Sequence, residues 1–467
     1  MSSEEKDLTI GEESVAALSL EQTGIDDDAV STVESDSDRI DSIAAFCGMV
    51  WLVSIMDVCY SWFFPWEARY VIGSLFVFYA TFILSNNDGL NNIQKNRPLF
   101  ILLFLLIGFM IIRRFQILYI PFKFGPLLCI LLWRKSALLK FYANFRKYIV
   151  FYAVLSIFVE FLVLSKLWVS LPYMTFPPQD NVQEALGYVN YFYGIFSIQA
   201  TDFGLSFYRA CGPVREGGHF AIFLGFIYFS EKAIFDKRNV WVFICGLLTL
   251  SPNFILAFFI AEVYAAIVKK QILKPILMFL GSIVFIIVGF LSSPKSIQNE
   301  IIGIILERTL EASIENMQTD GMMALIDGRA GVYGVSDYDA FLHKSLGTRL
   351  IGETLPEGNV MSDYRYLVLL FGYLGTTLIF IGIILFSLGR ERNLFGLSLL
   401  SLGLIIFLHR AWMFVDLYHW TIMLLITNAR IMYSELLPVT EEENAEESDT
   451  QNMDDVNLVP SFVDDKN

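Results

Sequence analysis

Tyr208-Arg209-Ala210-Cys211-Gly212-Pro213-Val214-Arg215-Glu216-Gly217-Gly218-His219-Phe220 places two arginines, a carboxylate and an imidazole immediately before a long apolar run. Gly212, Pro213, Gly217 and Gly218 break helix on either side of Arg215 and Glu216. Charge carried on irregular backbone next to membrane-length apolar sequence is costly, and such a stretch marks a site. The competing explanation is an interfacial loop whose arginines snorkel toward water.

Outward from this stretch the chain is dominated by apolar sequence. Of 467 residues, 55% are hydrophobic and 15% aromatic, and the mean hydropathy is +0.55. That composition excludes an ordinary soluble domain. Apolar runs reach the roughly 20 residues that a bilayer crossing requires. The short alternating segments of an outer-membrane barrel are absent. The expected fold is therefore all-α, a multi-pass integral membrane protein with about twelve transmembrane helices.

The expected spans are 43–64, 68–85, 98–112, 115–133, 149–171, 219–231, 239–268, 275–293, 364–388, 394–408 and 411–428. The stretch 239–268 is interrupted by Ser251-Pro252-Asn253 and reads as two short helices or one broken helix. A long connection with Pro177-Pro178 and the aromatic run Tyr188 to Tyr193 leads into the opening stretch. Residues 294–363 form one large hydrophilic insert. Within it, 297–317 has the spacing of an amphipathic helix. Asp327-Gly328-Arg329 reads as a loop, and Ser336 to Asp339 as the start of a short helix carrying His343.

The net charge of −15 comes from the two ends. Residues 1–41 hold thirteen acids and two bases, and 437–467 hold ten acids and one base, so the body between them is basic by 5. Both ends read as disordered acidic tails. They flank a first transmembrane bundle over 42–293, the insert and C-terminal transmembrane helices over 364–430. No cleavable leader is expected, because the first apolar run starts only near Ile43. The five cysteines form no CxxC pair and read as buried free thiols. The four histidines lack ligand spacing, so no metal site is expected. There is no Walker loop or GxSxG elbow, and nothing points to nucleic acid.

Lysine and arginine in short loops set orientation. The densest cluster, Arg134-Lys135, Lys140 and Arg146-Lys147, fixes one side as cytoplasmic. Alternation then puts Lys95 and Arg97, Lys232 to Arg238, Lys269 to Lys274, Arg390 and Arg392, and both termini on that same side. It requires 239–268 to be a hairpin. The opening stretch, the Ser-Pro-Asn tip and the insert fall on the opposite face. There lie Arg113, Arg114, Arg209, Arg215, Arg329, Arg365 and Arg410, all against the usual bias. Binding of a phosphate-bearing ligand is one reason for such arginines, and interfacial snorkelling is the other.

Three pieces of the chain resemble the O-antigen and capsular polysaccharide polymerases and the related O-antigen ligases. One is Phe207 to Phe220, similar to that family's arginine-glycine-glutamate approach to a span. Another is the step at Leu248-Thr249-Leu250-Ser251. The third is Asp327-Gly328-Arg329 followed by Leu350-Ile351-Gly352, Tyr364-Arg365 and Phe371-Gly372-Tyr373-Leu374-Gly375. The resemblance covers about residues 43–430. It implies a GT-C-like membrane architecture with one large extracytoplasmic, periplasmic loop, in the inner membrane of a bacterium. It further implies a metal-independent glycosyltransferase without cofactor, joining repeat units carried on undecaprenyl pyrophosphate. Membrane lipid, a chain-length regulator and a flippase would be its partners.

The residues suit that chemistry. Departure of a pyrophosphate develops negative charge that fixed guanidinium groups stabilise. Arg209 and Arg215, with Arg329 or Arg365 closing from the insert and Arg113, Arg114 and Arg410 nearby, are the candidate pyrophosphate ligands. Glu216 and His219 are the candidate catalytic bases for the acceptor hydroxyl, although Glu216 could equally pair with Arg209 or Arg215. A ligase acting on the lipid A core and a polysaccharide flippase or other transporter are the alternative functions. A transporter would show paired repeats and mid-membrane charge, whereas the charges here cluster at one face, on the side of the large insert.

Overall fold

The computed structural model describes residues 27–56, 58, 63–87, 89–90, 93–113, 120–165, 174–176, 188–201, 209–249, 251–271, 331–353, 364–389, 392–410, 414–415 and 417–436, with isolated positions between 272 and 300. The described residues are mostly helical. The expected span at 275–293, the insert helix at 297–317, the loop at Asp327 to Arg329, Pro177-Pro178, Cys59, Arg114 and the tail 437–467 lie outside them.

Helix α1 (Asp27–Ile55) packs against α2 (Trp66–Asn86) and α5 (Lys135–Leu164), with α3 (Ile93–Ile112) and α4 (Ile120–Ile130) beside α2. Helix α6 (Gly217–Phe235) is the axis of the bundle, and every residue from Gly217 to Ala233 is buried. A hairpin of α7 (Val240–Leu248) and α8 (Pro252–Val268) flanks it. Phe243 and Phe258 meet across the hairpin with ring centroids 5.1 Å apart. The short helices α9 (Gly331–Leu342) and α10 (Leu346–Ile351) precede α11 (Tyr364–Leu388), α12 (Leu394–Arg410) and α13 (Tyr418–Leu436). One contiguous core runs from Ala44 to Ala429, so the stretches expected as a first bundle and as C-terminal helices share it. Each phenylalanine fully buried there, such as Phe220, Phe223 and Phe229, contributes roughly 1.5–3 kcal/mol.

The hairpin expected over 239–268 is present, with its break at Thr249 to Ser251. Other expectations need correction. The fold is not all-α. The long connection before the opening stretch contains a four-stranded antiparallel meander: β1 (Met174–Phe176), β2 (Tyr188–Phe192), β3 (Ser197–Thr201) and β4 (Arg209–Gly212). Aromatic and β-branched residues in β2 and β3 favour extended pairing, and Gly194, with φ +90°, turns the chain between them. The leader over 1–41 is not disordered throughout, because α1 already begins at Asp27. Its Asp41 carboxylate is buried against Arg134 at 2.5 Å, and Asp38 pairs with Lys140. The basic cluster 134–147 therefore lies on the first turns of α5 and not in a loop.

Twelve spans are not seen among the described residues. Two helical stretches, Glu67–Asn86 and Tyr364–Leu388, are long and apolar enough to cross a membrane. Asn96–Ile112, Ile120–Ile130, Pro252–Val268 and Leu394–Leu408 are apolar but shorter. Phe82, Phe104, Phe158, Phe161 and Ile255 stand exposed on the outer faces of α2, α3, α5 and α8.

Helix α11 is broken at Gly372, whose φ of 62° and ψ of −174° interrupt the hydrogen-bond ladder. The break is locked by its partners. Arg113 Nη2 donates to the Leu370 carbonyl at 3.0 Å, and the Glu353 N–H donates to the Leu369 carbonyl at 2.8 Å. Gly352, with φ +86°, abuts the same point, and a Cβ on Gly372 would lie 2.4 Å from the Leu350 carbonyl oxygen. Gly372→Ala therefore carries a backbone cost of about 1–3 kcal/mol plus the clash. A clearly lowered melting temperature of the detergent-solubilised protein is the expected result, and an unchanged one would contradict the packing.

Beyond the C-terminus of α6, Asp236 adopts the left-handed conformation at φ 50° and ends the helix. Burial opposes its ionised form, but hydrogen bonds from Lys232 and Lys269 outweigh this and hold its carboxyl below the usual value of 3.8. A depressed folded-state pKa stabilises above the unfolded value and is lost as pH falls through the folded one. The melting temperature of Asp236→Asn should thus fall below that of the parent at pH 6, and the gap should close below pH 3.8.

Candidate functional site

Helix α6 begins at Glu216, an extended N-cap residue whose side chain makes no capping hydrogen bond. A helix start leaves N–H groups without intrahelical acceptors and carries roughly +0.5 of an elementary charge. Gly217 and Gly218 keep this start bare of side chains. Around it converge β4, the tip of the α7–α8 hairpin and the end of α12.

Arg209 enters from β4. Its Nε donates to the Thr249 carbonyl at 3.0 Å and its Nη1 to Gln199 Oε1 at 3.2 Å. Gln199 sits buried on β3, directly opposite Arg209 in the sheet register. The guanidinium is thereby fixed from two sides. Arg410 arrives from the last residue of α12, and its Nη1 lies 2.5 Å from Glu216 Oε2. A Cβ built on Gly218 would stand 3.2 Å from Arg410 Nη2, 3.7 Å from Ser251 Oγ and 3.9 Å from Arg209 Nη2. Two guanidinium groups, a hydroxyl and a helix N-terminus thus surround a single glycine. Hydrogen bonds from such charged donors to an anion contribute about 1.5–3 kcal/mol each.

The other candidates divide. Arg215 is half-buried beside Glu216. Arg365 is buried in the first turn of α11, where the neighbouring Tyr364 ring faces Phe407, three residues before Arg410. Arg113 serves the broken helix through Leu370 and does not join the cluster. Arg114 and Arg329 lie outside the described residues. His219 is on the first turn of α6 but turns inward. It is 3% exposed, its Nε2 lies 2.9 Å from the Tyr418 hydroxyl, and its ring lies tilted against those of Phe223 and Tyr418. His343 is exposed after α9, away from these groups. The Glu216 carboxylate pairs with Arg410, a partner that sequence spacing could not suggest. Gln199 and Tyr418 escaped the sequence reading, whereas Thr249 enters it only as part of the Leu248 to Ser251 step. Gln199 could have been found only by foreseeing the sheet, since its role depends on cross-strand register.

Cys47, Cys129, Cys211 and Cys245 are free thiols. Burial pushes the Cys211 thiol, on β4 behind the site, up to about 12, so it is inert. Among the described residues no group of three or more histidine, cysteine, aspartate or glutamate side chains could hold a metal ion.

The charged groups separate along the bundle axis. Arg209, Glu216 and Arg410 occupy one end. Arg146 with Glu231, Lys232 and Lys269 with Asp236, and Arg238 with Glu262 occupy the other. No family model matches this chain, and neither does any curated protein or solved structure.

The two glycines differ in what an added methyl group would meet. A Cβ on Gly217 would press two backbone carbonyls, of Thr249 at 3.0 Å and Ala210 at 3.1 Å. Gly217→Ala should lower stability by about 1–3 kcal/mol. In Gly218→Ala the nearest atoms are the side-chain ends of Arg410 and Ser251, at 3.2 and 3.7 Å. That variant should fold with a near-normal melting temperature.

Proposed function

We propose that this chain is a metal-independent glycosyltransferase of the bacterial inner membrane, joining oligosaccharide repeat units carried on undecaprenyl pyrophosphate. The observation that carries this reading is the convergence of Arg209 and Arg410 on the bare N-terminus of α6. Support for a membrane setting comes from the two apolar helices of spanning length and from the exposed phenylalanines on the outer faces. The lysine and arginine bias assigns the Lys232–Lys269 end to the cytoplasm. The Arg209–Arg410 end then faces the periplasm, with both termini on the cytoplasmic side and residues 294–363 outside. The full set of about twelve spans belongs to this proposal too.

In the proposed reaction, the bond between the anomeric carbon and the pyrophosphate oxygen breaks, and its electron pair leaves with the pyrophosphate. Arg209, held in place by Gln199 and the Thr249 carbonyl, and Arg410 stabilise that growing charge as preorganised donors. The acceptor hydroxyl oxygen bonds the anomeric carbon, and its proton passes to a base. Glu216 suits that role once Arg410 turns from its carboxylate to the phosphate. His219, buried against Tyr418, suits a positioning role beneath the first turn of α6. Arg215, next to Glu216 in the chain, supplies a further cation. An activated lipid pyrophosphate needs neither nucleotide nor metal to leave.

Reconstitution in lipid vesicles with an undecaprenyl-pyrophosphate-linked oligosaccharide tests the proposal. The parent protein should build a ladder of multiples on a gel. Arg209→Ala and Arg410→Ala should each slow elongation by about 100-fold or more, and Arg209→Lys should retain part of the activity. Transfer only to added lipid A core, with no ladder, would identify a ligase. Full elongation by Arg410→Ala would remove the basis of the reading.

A further inference from the structure

At the opposite end of α6 lies a cavity of about 320 Å³ between the ends of α6 and α8 and the start of α7. That volume is in the range of small-ligand sites. Lys232, Asp236, Arg238, Glu262, Lys269 and Gln271 line it. Glu262 is buried and fully engaged. Arg238 grips it through Nε at 2.9 Å and Nη2 at 2.5 Å, and the Tyr228 hydroxyl donates to it at 2.9 Å. Asp236 is different. Its side chain is half exposed at the mouth and bridges two ammonium groups, Lys232 at 2.5 Å and Lys269.

Lys232 is the telling group, since its side chain is only 7% exposed. A buried ammonium can donate three hydrogen bonds, and Asp236 takes one of them. The lining itself carries three cations, Lys232, Arg238 and Lys269, against the two carboxylates of Asp236 and Glu262. Glu231, on the last turns of α6, is paired with Arg146. The C-termini of α6 and α8 offset about −0.5 each and the N-terminus of α7 restores about +0.5. A surplus of positive charge remains around the cavity.

We infer that this cavity binds a phosphate-bearing anion, with Lys232, Lys269 and Arg238 as its ligands. Asp236 occupies the place of one anionic oxygen when the cavity is empty. The phosphate comes from an anionic phospholipid headgroup at the cytoplasmic leaflet or from free phosphate. The site is independent of the glycosyl-transfer reading, because it lies at the other end of α6 and shares no residue with the Arg209–Arg410 cluster.

The full chain, purified in detergent and delipidated, tests this with two probes. Native mass spectrometry compares retention of phosphatidylglycerol with phosphatidylcholine. Thermal melting compares inorganic phosphate with chloride at matched ionic strength. Selective phosphatidylglycerol retention without a phosphate shift identifies a headgroup site, and stabilisation by phosphate alone identifies a soluble ligand. In either case Lys232→Gln and Lys269→Gln should weaken binding about tenfold, and Asp236→Asn should tighten it by a similar factor. Lys147→Gln, an exposed charge change outside the cavity, should leave it unaltered. Lys269 is 45% exposed, so its variant remains informative if loss of Lys232 prevents folding. The inference is overturned if neither probe binds selectively, if Lys269→Gln binds like the parent, or if Asp236→Asn binds more weakly.

Discussion

A helix buried along its whole length must find partners for both of its ends, and α6 imposes that constraint on this protein. Its side chains from Gly217 to Ala233 are enclosed by protein, so much of what meets its terminal N–H and C=O groups comes from the chain itself. At the C-terminal end the Glu231 carbonyl accepts from Lys237 N–H, and Arg430 reaches the Ala233 carbonyl at 3.4 Å. At the N-terminal end the bare glycines face Arg209 and Arg410, which are donors only and add positive charge to that of the helix start, with the Ser251 hydroxyl beside them. The surrounding elements bring charge to each end of one apolar axis.

This explains why the small sheet matters in a helical protein. Strand β4 delivers Arg209 to the start of α6, and β3 supplies the buried Gln199 that fixes its guanidinium. The hairpin tip contributes the Thr249 carbonyl from a third direction. A guanidinium held by two acceptors loses little further freedom when an anion arrives, which is the physical content of preorganisation. Arg410 is less fixed, since its recorded partner is the half-buried Glu216 carboxylate, a group an incoming anion can replace.

The broken helix α11 follows a related logic. Gly372 opens the ladder, and the exposed carbonyls are taken by Arg113 and by the backbone of Glu353. An arginine that sequence reasoning grouped with ligand-binding residues is therefore engaged in holding a kink. Burying an unsatisfied carbonyl costs about 1–3 kcal/mol, so the structure has reason to commit a guanidinium there.

The sequence by itself determined the mostly helical, apolar character of the chain and the break just ahead of Pro252. These follow from composition and proline placement, both of which are local. It did not disclose the meander, because β2 and β3 depend on pairing across the sheet. Nor did it disclose that Ser37 to Asp41 belong to α1, since that acidic stretch is held by Arg134 and Lys140, about one hundred residues away. Only the tertiary structure separated Arg113 from Arg410, turned His219 toward Tyr418 and joined Glu216 to Arg410. Those outcomes depend on which helix ends meet in space, and adjacency of that kind is set by packing of the whole core.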